Sequence, residues 1–105
     1  MDVTDATFAR DVLAADRPVV VEFWAPWCKP CAAARAVLEA LAADRTELAL
    51  VHLNVDENPV TTARHSVLTL PTAILFAGGA ARSAVAGARS RSHYEHEWAD
   101  WLARK

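Results

Sequence analysis

Residues 19–31 read VVVEFWAPWCKPC and place both cysteines of the chain directly after an apolar run. Residues 19–24 are too apolar for a strand with one wet face, so they predict a central strand covered on both sides. Ala25-Pro26 turns the chain, and the alanine-rich stretch from Cys28 to about Ala43 predicts a helix. Cys28 would then stand at a helix N-terminus, where the helix dipole favours a thiolate over a thiol.

The remaining elements alternate between strands and helices. The predicted elements are a helix capped by Thr4 or Asp5, a strand from Leu48 to Val55, a short helix that begins at Asn58-Pro59 and reaches about His65, strands at residues 72–76 and 81–86, and a last helix with Ser92 and Glu95 as a capping box. In the short helix, Asn58 is the predicted capping side chain and Pro59 the first helical residue. A first strand around Val3 has only two or three residues, and we expect its pairing to be weak. This alternation predicts a parallel sheet with right-handed crossovers that ends in an antiparallel hairpin.

Length and composition favour one domain over residues 1–105, with 53% apolar residues and a net charge of -2. This charge gives no reason to expect binding to nucleic acid or to an anionic membrane. The start has no basic segment followed by an apolar one, and no apolar run approaches the roughly 20 residues of a membrane span. We therefore expect a cytosolic, that is cytoplasmic, protein. A structural disulfide is unusual in that compartment.

Three interpretations of the C-x-x-C spacing remain open. In the first, which this motif near a βαβ pattern favours, Cys28 is an exposed attacking thiolate and Cys31, one turn further in, is a more buried resolving thiol. The second is a zinc site, which needs four ligands and would have to recruit two of the histidines at positions 52, 65, 93 and 96. The third is two ordinary buried cysteines without activity.

Five ordered motifs then connect the chain to a known family. They are VEFWAPWC at residues 21–28, LNVDENP at residues 53–59, Leu70-Pro71-Thr72, Phe76-x-Gly78-Gly79, and Gly87. In this order and at this spacing the chain resembles the thioredoxin family from about Thr4 to Leu102. The resemblance implies an α/β thioredoxin fold: a central mixed sheet of four to five strands flanked by four helices, with the last two strands as an antiparallel hairpin.

The resemblance also implies an activity and its partners. We expect a protein thiol-disulfide oxidoreductase that reduces client protein disulfides through the Cys28–Cys31 pair. Its electrons would come from an NADPH-dependent thioredoxin reductase, with no cofactor bound to this chain, and we expect a monomer. The alternative is a thioredoxin-like redox sensor or binding module that does not turn over.

Six residues are implied to form the surface that meets a client. Pro71 would follow a cis peptide bond and face the cysteine pair, presenting the backbone of Leu70 for strand-like pairing. The implied docking surface consists of Trp27, Pro30, Leu70, Pro71, Gly87 and Ala88. Two alternatives stay open, because Trp27 could instead pack in the core and Gly87 could be a simple turn glycine.

Three substitutions relative to the usual family pattern affect the predicted chemistry. Lys29 replaces a glycine between the cysteines, and its charge should favour the Cys28 thiolate unless it is simply a solvated lysine. Glu22 replaces a buried aspartate, and we expect it to accept the proton of Cys31. His52 replaces a lysine that commonly pairs with that aspartate, so it either forms a proton-handling pair with Glu22 or is simply packed.

Overall fold

The computed structural model describes residues 1–102, in which one four-stranded mixed sheet is flanked by helices. The predicted domain also includes residues 103–105, which lie outside the described residues. The strands are β1 (Val19–Trp24), β2 (Ala49–Asn54), β3 (Thr72–Ala77) and β4 (Ala80–Ala86). The helices are a π-helix (Ala9–Leu13), α1 (Lys29–Asp44), α2 (Pro59–Arg64), α3 (Arg91–Glu97) and a 3₁₀-helix (Ala99–Trp101). None of the helices within residues 1–102 combines the length and apolar character needed to cross a bilayer.

The order of the strands in the sheet is β2-β1-β3-β4. Strand β2 runs parallel to β1, β3 runs antiparallel to β1, and β4 pairs with β3 as the predicted hairpin. The α/β class and the mixed sheet are therefore confirmed, with four strands at the lower end of the expected range.

Strand β1 is buried on both faces, as its sequence predicts. Because successive side chains of a strand point to opposite faces, Val21 and Phe23 enter one core and Val20 enters the other. The first core contains Phe8 and Val12 from the N-terminal segment, and the second contains side chains from α1 and α3. Burial of this central strand fixes where its carboxyl end, and therefore the cysteine turn, emerges from the sheet.

The N-terminal segment contributes less to the sheet than predicted. In place of a short strand, a single parallel bridge joins Asp2 to His52, and the Val3 N–H donates to the His52 carbonyl at 2.9 Å. Thr4 then begins a turn, its hydroxyl accepting from the Thr7 N–H at 3.2 Å. This turn ends the pairing with β2 after its single bridge.

The cap of α2 comes from a distant part of the chain, so the prediction of Asn58 as its capping side chain is wrong. The carboxylate of Asp5 accepts from the N–H groups of Val60 at 3.2 Å and Thr61 at 2.8 Å. The Asn58 side chain accepts instead from the Asp5 N–H at 2.9 Å. Desolvation opposes ionisation of Asp5, but the hydrogen bonds from Thr61 and Val60 outweigh it and lower its pKa.

The last helix begins earlier than predicted and ends at Glu97. Ser90 is the N-cap, its hydroxyl accepting from the His93 N–H at 3.2 Å, so the capping box assigned to Ser92 and Glu95 is wrong. Tyr94 and Trp98 are buried and stacked, with ring centroids 5.1 Å apart. This stack holds α3 against the core shared with α1.

Candidate active site

Cys28 and Cys31 form a disulfide at the start of α1. Cys28 has an extended backbone and is the N-cap of this 16-residue helix, while Cys31 lies in its first turn. Cys28 is 9% exposed and Cys31 is 4% exposed. The order of exposure agrees with the expectation, but Cys28 is more buried than expected because both cysteines pack with Ala25 and Leu70. The positive end of the helix dipole favours a thiolate at this position.

One other loop meets the start of α1, and a second loop is bonded to it. Leu70 packs against the cluster formed by the two cysteines and Ala25, and the Leu70–Pro71 peptide bond is cis. The carbonyl of buried Pro71 accepts from the Gly87 N–H at 2.8 Å. Gly87 has φ of 84°, a conformation that disfavours any side chain, so it is a turn glycine as well as part of the predicted docking loop.

Tyr94 of α3 connects this loop to the core. Its hydroxyl donates to the Gly87 carbonyl at 3.4 Å and accepts from the Arg89 N–H at 3.3 Å. Burial raises the pKa of Tyr94, so the phenol remains a neutral donor. The polar contacts of Tyr94 depend on the tertiary structure.

The predicted docking residues differ in exposure. Trp27 is 67% exposed, so the alternative of core packing is wrong for this residue. Its indole Nε1 donates to Asp56 Oδ2 at 2.9 Å, which orients the ring on the surface. Pro30 and Ala88 are also exposed, Leu70 is half-buried, and Pro71 is buried. Lys29, the first residue of α1, is exposed.

Glu22 is fully buried at the centre of a small charged group. Its Oε1 accepts from Arg35 Nε at 3.1 Å and lies 2.7 Å from His52 Nδ1. A carboxylate is only an acceptor, so Nδ1 carries the hydrogen whenever Glu22 is ionised. His52 therefore pairs with Glu22 in the structure, while its part in proton handling stays a prediction.

Arg35 belongs to the same group and was not identified from the sequence. Its guanidinium carbon lies 4.7 Å from the centroid of the Trp24 ring. A cavity next to the disulfide is lined by Trp24, Ala25, Pro26, Cys28, Cys31, Ala32 and Arg35. The signal that could have revealed Arg35 is its position four residues after Cys31, since residues four apart share one face of a helix.

The histidines considered for a zinc site do not gather around the cysteines in one metal-binding cluster. His93 and His96 are exposed on α3, and both cysteine sulfurs are in the disulfide. Within residues 1–102, no group of three or more His, Cys, Asp or Glu side chains could hold a metal ion.

Comparison with known proteins agrees with this geometry. The sequence model of the Thioredoxin family matches residues 1–100. The chain is 43% identical over 99 residues to a thioredoxin of Mycobacterium bovis, covering 93% of this chain and 85% of the relative. It is 40% identical over 91 residues to a thioredoxin of Streptomyces clavuligerus, covering 87% and 85% respectively. It is also 42% identical over 93 residues to a bifunctional thioredoxin reductase/thioredoxin of Mycobacterium leprae, covering 88% of this chain and 20% of that protein.

These matches extend over nearly the whole chain and include the segment Trp27-Cys28-Lys29-Pro30-Cys31, which fits a WCxxC active site. The disulfide between the two cysteines lies at the helix start where thiol-disulfide exchange needs an activated thiol. The chain therefore belongs to the thioredoxin family, and it is a thiol-disulfide oxidoreductase.

Proposed function

We propose that the chain is a protein-disulfide reductase in which Cys28 is the nucleophile and Cys31 the resolving thiol. The observation that supports these roles best is the position of the disulfide at the N-terminus of α1, with Cys28 the more exposed of the two cysteines. An attacking thiol must reach a disulfide on another protein, whereas the resolving thiol only has to reach Cys28.

The reaction transfers two electrons to the client. The Cys28 thiolate attacks one client sulfur, and the client disulfide breaks, leaving a mixed disulfide and one client thiolate. Cys31 passes its proton to Glu22 and attacks the Cys28 sulfur. The bond between Cys28 and the client then breaks, the second client sulfur leaves as a thiolate and takes up a proton, and the Cys28–Cys31 disulfide forms.

The client would dock on the surface around Trp27, Pro30, Leu70, Pro71, Gly87 and Ala88. Exposure of the large Trp27 ring supports this role, because exposed aromatic side chains are frequent anchors at protein interfaces. The contact of Leu70 with the cysteine cluster supports a role for the backbone before Pro71 in pairing with the client. Lys29 would adjust the reactivity of Cys28 through its charge.

The electrons would come from an NADPH-dependent thioredoxin reductase, and no cofactor would bind to this chain. The bifunctional thioredoxin reductase/thioredoxin of Mycobacterium leprae supports this pairing, since its name joins both activities in one protein. The chain would act as a monomer in the cytoplasm. Reducing conditions there would return the Cys28–Cys31 disulfide to the dithiol after each turnover.

Coupled insulin reduction tests the proposal. With thioredoxin reductase and NADPH, we expect NADPH to be consumed in many equivalents per chain as insulin is reduced. Cys28→Ser should abolish turnover, and Cys31→Ser should accumulate a mixed disulfide at Cys28 that mass spectrometry detects. A redox sensor or binding module would be oxidised and reduced once without sustained NADPH consumption, and that result would overturn the proposal.

A further inference from the structure

Arg35 contacts the proton acceptor proposed above and lines the same cavity as the cysteine pair. It lies one helical turn beyond Cys31 on α1, and both residues line the cavity next to the disulfide. Its Nε donates to Glu22 Oε1 at 3.1 Å, and its guanidinium stacks on Trp24. With 33% of the side chain exposed, the cation is largely desolvated and held in one position.

The hydrogen-bonding capacity of this ion pair is only partly used. Nη2 of Arg35 and Oε2 of Glu22 are both buried and have no hydrogen-bond partner within the described residues. Buried polar atoms without a partner are costly and rare, and a redox or catalytic role is one explanation for them. The resolving step creates such a change, because the Cys31 sulfur becomes a thiolate in the same partly buried region.

The charge of Arg35 matters because Glu22 is fully buried. A carboxylate in an apolar interior is stable only beside a cation, and a guanidinium stays charged over the whole physiological pH range. The other groups facing Glu22 are His52 from β2, whose charge depends on its protonation, and at longer range the neutral phenol of Tyr94 from α3. Within residues 1–102, Arg35 is therefore the permanent positive charge in direct contact with this carboxylate.

We propose that Arg35 is a positioning residue for the resolving step: it holds the Glu22 carboxylate in place so that Glu22 can take the Cys31 proton. The inference rests on the proposed role of Glu22. The bonds formed and broken are those of the second half of the reaction given above, and Arg35 itself neither gains nor loses a proton.

Two-phase reaction with dithiobis(nitrobenzoate) separates the steps. Reduced protein releases one coloured thionitrobenzoate when Cys28 attacks the reagent, at a rate proportional to its concentration. A second thionitrobenzoate leaves when Cys31 resolves the mixed disulfide, at a rate independent of that concentration. Stopped-flow absorbance thus reports attack and resolution in one trace without reductase, NADPH or client protein.

We expect Arg35→Met to leave the first release within about twofold of wild type and to slow the second about tenfold or more, the range expected for loss of a charge-assisted hydrogen bond to a proton acceptor. Arg35→Lys should recover part of the second rate because it keeps the charge. Arg10→Met removes an exposed arginine paired with Asp11 and serves as the matched control, with both rates unchanged. Should Arg35→Met not fold, as judged by circular dichroism, Arg35→Gln takes its place.

Glu22→Gln separates this inference from the role on which it rests. A slow second release in Glu22→Gln, with no further slowing on adding Arg35→Met, supports both. A slow release in Glu22→Gln together with a normal one in the Arg35 variants overturns the inference alone. Normal resolution in all variants overturns the role of Glu22 as well, and equal slowing of both releases in Arg35→Met would indicate general damage to the site and overturn the inference.

Discussion

Oε1 of Glu22 lies 2.7 Å from Nδ1 of His52, and the two residues are direct partners in the parallel register of β1 and β2. Glu22 is fully buried and His52 is 6% exposed, so neither group can exchange this contact for water. Removing one partner would leave the other buried without its hydrogen bond. This would lower the free energy of unfolding by more than removing both partners would.

We predict a measurable coupling between these two residues. His52→Leu should lower the free energy of unfolding by about 2 kcal/mol, because a hydrogen bond to a charged group is lost. The double variant, which carries His52→Leu and Glu22→Leu, should lose less stability than the sum of the losses in the two single variants. Urea unfolding of the wild type, both single variants and the double variant measures this coupling. Strictly additive losses would show that the contact contributes nothing to stability.

Lys29 should make the disulfide more oxidising. Its ammonium, at the first position of α1, favours the Cys28 thiolate and thereby the reduced form. Lys29→Gly should therefore lower the reduction potential, by roughly 10–20 mV for an exposed charge. Equilibration with glutathione buffers measures this shift. Lys29→Gln separates the charge from the backbone freedom of glycine, and Lys29→Arg should keep the wild-type potential. An unchanged potential in both Lys29→Gly and Lys29→Gln would contradict the assignment.

Trp27→Ala should impair client reduction without destabilising the fold. The ring is 67% exposed, so we expect the free energy of unfolding to change by less than about 0.5 kcal/mol. The kcat/KM for insulin should fall about fivefold or more if the ring is an anchor for the client, while the reaction with dithiobis(nitrobenzoate) stays close to wild type. Trp98→Ala is the contrasting change: this side chain is 0% exposed, and its truncation should cost about 3–5 kcal/mol. Unimpaired insulin reduction by Trp27→Ala would remove Trp27 from the docking surface.

His65 should contribute to acid sensitivity of the fold. Burial, and secondarily the nearby Arg64, lower the pKa of His65 from its ordinary value of 6.5. Its ring packs 5.4 Å from Phe8 and 5.0 Å from Phe76, measured between centroids. Well above pH 6.5 neither the folded nor the unfolded state binds the proton, so the titration of His65 costs the fold no stability. As the pH falls further the unfolded state binds the proton first, so stability decreases until the folded-state pKa is passed.

His65→Phe keeps an aromatic ring and removes the titration. We expect its melting temperature to decline less steeply than that of wild type between about pH 7 and pH 5. The control is His96→Gln, which removes an exposed histidine and should leave the wild-type slope unchanged. Parallel curves for wild type and His65→Phe would show that protonation of His65 does not limit stability in acid.

Local sequence signals predicted the elements of this fold well because their physical causes are local. The uninterrupted apolar run of β1 requires burial on both faces, and Gly78-Gly79 supplies the positive φ angles that the β3–β4 turn uses. The predicted caps of α2 and α3 are wrong for different reasons: for α3 the cap is Ser90, two residues before the predicted Ser92, whereas for α2 it is not local. A capping position needs an oxygen atom near free N–H groups, and for α2 the fold supplies it from Asp5, more than 50 residues away in the chain.

The sequence by itself determined the chemistry of this protein. The spacing of Cys28 and Cys31 after a buried strand depends only on neighbours in the chain, and so does the place of Cys28 at a helix start. Only the tertiary structure decided what surrounds the pair. It placed Arg35 against Glu22, left Trp27 on the surface and joined Pro71 to Gly87. These contacts depend on strand register and on which face of a helix meets the sheet, and both are set when distant segments pack together to bury their apolar surface.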